Sequence, residues 1–234
     1  MKKTILITGS NGLLGQKLVD LLSNEENIQL IATAKGENRL PNQNGYIYQS
    51  LDITNPQQVN EVFATFQPQI VIHTAAMTNV DACESDLDGC NLLNVKAVEY
   101  LVEACEQHKS FFCHLSTDFI FDGESGPYNE EAKPNPISIY GESKLKAEQI
   151  VQSSKIRWAI ARTVLVFGIV PDMSRTNIIL WVKKSLEEGK QINVVTDQFR
   201  TPTLAEDLAM GCWLIAVLLA KVLNQACVFS NARR

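Results

Sequence analysis

Short apolar runs and longer amphipathic stretches take turns along this chain. "TILIT" (4–8) leads into an amphipathic stretch from Leu13 to Ser23. Then come "IQLIATA" (28–34), "GYIYQ" (45–49), Val59 to Phe66, "QIVIHTA" (69–75), Leu92 to Gln107 and "SFFCHLS" (110–116). Runs that are apolar on both faces, separated by helix-length segments, predict parallel strands covered by helices on both sides. The expected fold class is therefore α/β with a doubly wound parallel sheet. A loop rich in Gly, Asp, Glu and Pro follows, from Asp122 to Pro136, and then a helix around "IYGESKLKAEQ" (139–149) and a strand "WAIARTVLVFG" (158–168). The remainder reads as a helix near Ile178 to Glu188, a short strand "QINVV" (191–195), a loop "TDQFRTPT" (196–203) and a last helix from about Leu204. We divide the chain into a main unit over 1–167 and a smaller, incomplete lobe over 168–234.

Composition narrows the class. With 234 residues the chain can bury a proper core, and its 45% hydrophobic and 20% charged residues are ordinary globular values. A net charge of -5 gives no electrostatic reason to expect nucleic acid as a partner. The six cysteines, at 83, 90, 105, 113, 212 and 227, form no CxxC pair and no metal-ligand spacing with the three histidines, so buried thiols and no metal are expected. "MKKTILITGS" has the charge of a signal peptide but too short an apolar stretch, and "WLIAVLLA" from Trp213 falls short of the roughly 20 residues that span a bilayer. A cytoplasmic protein with small ligands and no membrane contact is expected.

The first apolar run ends in "TGSNGLLG", which places Gly9, Gly12 and Gly15 between a strand and a helix. Glycine there lets backbone approach a pyrophosphate, and the helix N-terminus adds free N–H groups and a positive dipole end. Asn11, Leu13 and Leu14 complete the loop. The second strand ends in "ATAKGENR", with no carboxylate over 33–36, whereas a binder of unphosphorylated ribose carries one. Lys35 and Arg39 could meet a 2′-phosphate, so NADP(H) is favoured and NAD(H) is the alternative. Asp52, followed by Ile53, ends the third strand, where a carboxylate could bond the adenine amino group or serve a turn.

The chemistry is carried by Tyr140 and Lys144, four residues apart and therefore on one helix face. A free tyrosine has a pKa near ~10 and needs a positive neighbour to work at neutral pH; Lys144 is such a neighbour and could also hold nicotinamide ribose hydroxyls. "HTAAMTN" (73–79) puts Thr74, Ala75 and Ala76 beside a nicotinamide, and "LSTDFIF" (115–121) supplies Thr117, with Ser116 as the weaker choice, to bond a substrate carbonyl. Asn94 could hold a water relaying protons to the lysine, or bridge backbone groups.

Together these motifs resemble the extended short-chain dehydrogenases/reductases, with their TGxxGxxG, YxxxK and upstream Ser or Thr. The successive blocks "HTAAMTNVDACE", "LSTDFIFDG", "YGESKLKAEQ", "ARTVLVFG" and "DQFRTPT" resemble, in order, the dTDP-4-dehydrorhamnose reductase family, from residue 3 to about residue 210. That resemblance implies a Rossmann-like fold and hydride transfer from reduced nicotinamide to the C4 ketone of a deoxyhexulose carried on dTDP. It implies that Tyr140 protonates the alkoxide, that Lys144 lowers the tyrosine pKa and grips the ribose, and that Thr117 orients the ketone. Thr78, Asp118, Gln198, Arg200 and Thr203 then line the nucleotide-sugar side, and Arg200 or Arg162 could pair with the diphosphate, Arg162 equally serving a structural ion pair. A homodimer is in keeping with this. Two other readings share the scaffold: a different epimerase or reductase, and a non-catalytic subunit like the regulatory beta subunit of methionine adenosyltransferase. Family members run on past the point where this chain stops, and after "LAMGCWLIA" the resemblance ends, so a truncated, frame-altered or divergent C-terminus is expected.

Overall fold

The computed structural model describes residues 2–172, 176–222 and 225–229. Its strands are β1 (Lys3–Thr8), β2 (Ile28–Ala34), β3 (Ile47–Ser50), β4 (Ile70–His73), β5 (Phe111–Thr117), β6 (Arg157–Thr163), β7 (Val166–Phe167), β8 (Thr203–Leu204) and β9 (Gln225–Phe229). Its helices are α1 (Leu13–Leu22), α2 (Pro56–Phe66), α3 (Val80–Ser85), α4 (Leu87–Asn91), α5 (Ala97–His108), α6 (Ile139–Ser153), α7 (Ile178–Glu187) and α8 (Ala205–Val222). A π-helical turn, Leu92–Lys96, joins α4 to α5.

Seven strands form one parallel sheet in the order β3-β2-β1-β4-β5-β6-β9. Successive side chains on a strand point to opposite faces, so each strand feeds two cores. Leu6, Val71, Phe112 and Ile160 face Val59 and Phe63 of α2, Val98 and Leu101 of α5, and Ala147 and Val151 of α6. Ile5, Ile7, Ile70 and Phe111 face Leu18 and Leu22 of α1 and Leu208 and Cys212 of α8. This two-sided burial is why the strands read as unbroken apolar runs. Because β1 pairs with β2 on one side and β4 on the other, the winding direction reverses at β1, and the crevice for a ligand opens beyond the carboxyl ends of those strands.

Two expectations are corrected. "WAIARTVLVFG" is not one strand: β6 stops at Thr163, Leu165 takes φ 37°, and β7 leaves to pair with β8 in a separate two-stranded sheet. "QINVV" forms no strand, because Val194 and Val195 remain exposed and the segment finds no ladder. In the segment expected as a partial lobe, α8 packs on the main sheet beside α1, and β9 adds a seventh strand, with Trp158 opposite Gln225. The tail 230–234 lies outside the described residues.

Candidate active site

Gly9 closes β1 with φ +74°, and the amide of Gly12 donates to its carbonyl at 2.9 Å, curling the chain into a tight mouth. A Cβ on Gly9 would stand 2.8 Å from the Ala75 nitrogen, and one on Gly15 would stand 2.1 Å from the Gly9 oxygen. Only glycine lets α1 sit this closely on its own loop. Gly12 caps α1 without a side-chain hydrogen bond, leaving the first-turn N–H groups and the positive dipole end for a ligand. This donor set suits a diphosphate.

Around the mouth, the Asn11 side chain donates to the Glu37 carbonyl at 2.8 Å and accepts from the Arg39 amide at 3.0 Å. The Thr74 hydroxyl donates to the Thr8 carbonyl at 2.7 Å. Leu13, Leu14, Ala75 and Ala76 are half-buried at the rim, whereas Ile53 packs into the core. Lys35 pairs with Asp52 at 2.8 Å, and Arg39 forms a fork on Asp172, both arms 2.6 Å. Each cation expected near a 2′-phosphate is thus already matched to a carboxylate.

Helix α6 begins where Ser138 accepts the Gly141 amide at 3.1 Å and Glu84 accepts that of Ile139 at 2.8 Å. Tyr140 and Lys144 are both buried on the inner face of α6. Phe119 meets the Tyr140 ring edge-on at 5.6 Å. Burial pushes the Tyr140 phenol up to about 12, opposed by a hydrogen bond with Thr117. Burial likewise brings Lys144 down to about 8, with Glu148 and Cys90 pulling the other way. The Lys144 ammonium donates to the Leu115 carbonyl at 2.7 Å and lies 3.3 Å from His114 Nε2. The tyrosine pKa is therefore raised, against the expectation of a lysine-lowered value: desolvation dominates while the ammonium turns to the sheet. Asn94 bonds Met77 N at 2.8 Å, Met77 O at 3.0 Å and Ser143 Oγ at 3.0 Å, the bridging role. Ser116 Oγ is buried without a partner among the described residues.

On the far side of Thr117, whose hydroxyl accepts the Phe119 amide at 3.2 Å, Asp118 meets Arg200 at 3.0 Å. Burial raises the Asp118 pKa, with Arg200 opposing. Arg200 also lies over the Phe119 ring, 4.6 Å from its centroid, and so closes a chain of contacts to Tyr140. Gln198 and Thr78 are exposed, while Thr203 spends its hydroxyl on the Val164 carbonyl at 2.9 Å. Arg162 is not available to a diphosphate: its guanidinium is buried on Glu148 at 2.8 Å.

Sequence reasoning missed Glu148, His114 and Asp172. Glu148 lies one turn past Lys144 on the same face, a spacing that was legible. No local signal ties Asp172 to Arg39, 133 residues away. Among the described residues, no helix is long and apolar enough to cross a membrane and no cluster of three or more His, Cys, Asp or Glu could hold a metal ion.

The model of the RmlD substrate binding domain matches residues 1–229. The chain belongs to that family. Among its relatives, dTDP-4-dehydrorhamnose reductase of Aggregatibacter actinomycetemcomitans is 32% identical over 206 residues, 88% of this chain and 64% of that protein. Methionine adenosyltransferase 2 subunit beta of Xenopus tropicalis is 30% identical over 208 residues, 88% of this chain and 60% of that protein. The crystal structure of dTDP-4-dehydrorhamnose reductase from Bacillus anthracis in complex with NADP is 29% identical, with a TM-score of 0.81 over 98% of this chain and 74% of that one. This family member thus spans less than two thirds of the length of those two curated relatives.

Proposed function

We propose that this chain is an NADP(H)-dependent reductase, with NAD(H) as the alternative cofactor, acting on a 4-keto-6-deoxy sugar nucleotide in the manner of a dTDP-4-dehydrorhamnose reductase. The observation that carries this reading is the place of Tyr140, buried on the inner face of α6 and edge-on to Phe119 two residues past Thr117 at the carboxyl end of β5, on the crevice into which the glycine mouth opens. Family membership and the NADP complex of the Bacillus anthracis relative support it.

The bound cofactor supplies a hydride to the keto carbon. Everything else falls to this chain. Gly9, Gly12 and Gly15 with the N-terminus of α1 hold the diphosphate, and Thr74, Ala75 and Ala76 border the nicotinamide half. Thr117 and Tyr140 grip the carbonyl oxygen. A phenol whose pKa is pushed up to about 12 keeps its proton at neutral pH, which suits a group that must donate it to the alkoxide formed by reduction. Lys144 recharges that proton and holds the ribose. Asp118, Arg200 and Gln198 face the sugar nucleotide, Arg200 offering a fork for phosphate once it leaves Asp118. Loss of reduced-nicotinamide absorbance that depends on added keto sugar nucleotide tests this; its absence with every 4-keto sugar nucleotide would defeat it.

One observation favours a second reading. The Lys144 ammonium faces the sheet, and methionine adenosyltransferase 2 subunit beta is among the relatives. A cofactor-binding regulator would bind NADPH tightly, turn nothing over, and change the kinetics of a partner enzyme.

A further inference from the structure

Beneath α6 the sheet carries a polar row next to the apolar layer of Leu6, Val71 and Phe112. Thr8 of β1, His73 of β4 and His114 of β5 are register partners across three adjacent strands, so their side chains share a face. All three are buried. Thr8 Oγ1 lies 2.7 Å from His73 Nδ1, and the two imidazoles stack with centroids 5.4 Å apart. At the end of the row His114 Nε2 stands 3.3 Å from Lys144 Nζ.

An ammonium only donates, so His114 must present a lone pair at Nε2 and carry its proton on Nδ1. Among the described residues that Nδ1 has no partner. A buried N–H left unpaired is costly, and a histidine kept only for packing has no reason to bear that cost. The groups that face Lys144 are His114 and His73 from the sheet, Glu148 from α6, and Cys90 from α4, with Tyr140 one turn back on the same helix face. Arg162 offsets the Glu148 charge. Two acceptors in the sheet, His114 Nε2 and the Leu115 carbonyl, are thus what fixes the direction of the ammonium.

We propose that His114 is a positioning residue for Lys144: with the Leu115 carbonyl it takes two of the three ammonium N–H groups and leaves the third for the crevice. Its part in turnover rests on the reductase reading above, whereas its hold on the ammonium does not.

The test uses the full chain without ligand, labelled with 13C at the lysine ε carbon, the Lys144 signal being assigned through Lys144→Met. His114→Phe keeps the ring and the stack but removes the acceptor. With the charged form of Lys144 less favoured, its titration moves to lower pH than in the wild-type chain measured alongside. NADPH binding, followed by fluorescence, weakens by about tenfold, the scale of one hydrogen bond to a charged group. His114→Gln, whose carboxamide oxygen reaches the Nε2 position, restores both. If the Phe variant does not fold, His114→Asn is polar but too short to reach, and shows the same fall. Wild-type titration of Lys144 in the Phe and Asn variants, or a Gln variant no better than they are, overturns the proposal. A shifted Lys144 in a chain that binds no NADPH upholds the hold on the ammonium while removing the reductase reading.

Discussion

The guanidinium of Arg162 and the carboxylate of Glu148 face each other as a two-pronged pair, 3.0 Å and 2.8 Å apart, with both side chains buried. The pair ties β6 to α6 one turn beyond Lys144. Arg162 also donates to the Glu130 carbonyl at 3.1 Å, which fastens the 122–136 loop to the same point. Arg162→Met strands a buried carboxylate and is expected to cost about 3–5 kcal/mol in urea denaturation. Arg162→Met combined with Glu148→Leu should recover most of that loss. A single variant of normal stability with a weakened KM for substrate would return Arg162 to the diphosphate.

At the glycine mouth, steric contact separates two similar substitutions. Gly15→Ala places a Cβ 2.1 Å from the Gly9 oxygen, whereas Gly12→Ala places one at 3.3 Å from the same atom. Backbone must shift in the first case, at about 1–3 kcal/mol, and the cradle opens with it. NADPH affinity should therefore fall at least tenfold more in Gly15→Ala than in Gly12→Ala, measured by fluorescence titration. Equal effects would mean that α1 does not depend on this close approach.

His73 gives the chain an acid weakness. Burial, with Lys144 adding to it, brings its pKa down to about 3 from the usual 6.5. Between those values the unfolded chain binds the proton and the folded chain does not, so this contribution to stability is lost as pH falls through that window. From pH 6.5 to pH 5 the loss is about 2 kcal/mol for this residue. His73→Gln should lose correspondingly less than wild type over that interval in urea denaturation. An identical pH dependence in the two proteins would show that His73 ionises freely in the fold.

The main sheet was legible because burial on both faces writes itself into sequence as unbroken runs such as "TILIT" and "FFCHL". The turn formed by Gly9, Gly12 and Gly15, and the shared helix face of Tyr140 and Lys144, were legible because strand-to-helix turns and one-turn helix spacings are local. Leu165 hid the break after β6, since a positive φ at a leucine has no sequence signature. Strand β9 hid in a short run behind a long apolar helix, and its pairing with β6 joins residues far apart in the chain. The direction of the Lys144 ammonium was beyond spacing rules altogether. It depends on the register that brings His114 and the Leu115 carbonyl beneath α6.

Tyr140 carries the central claim. Reduced-nicotinamide consumption with a dTDP-linked 4-keto-6-deoxyhexulose, compared between wild type and Tyr140→Phe, tests it most directly. The expected result is substrate-dependent consumption by wild type, lowered at least a hundredfold in the variant, with NADPH binding within about twofold of wild type. Turnover in Tyr140→Phe equal to that of wild type would contradict the account, because the phenol would then not be the proton donor.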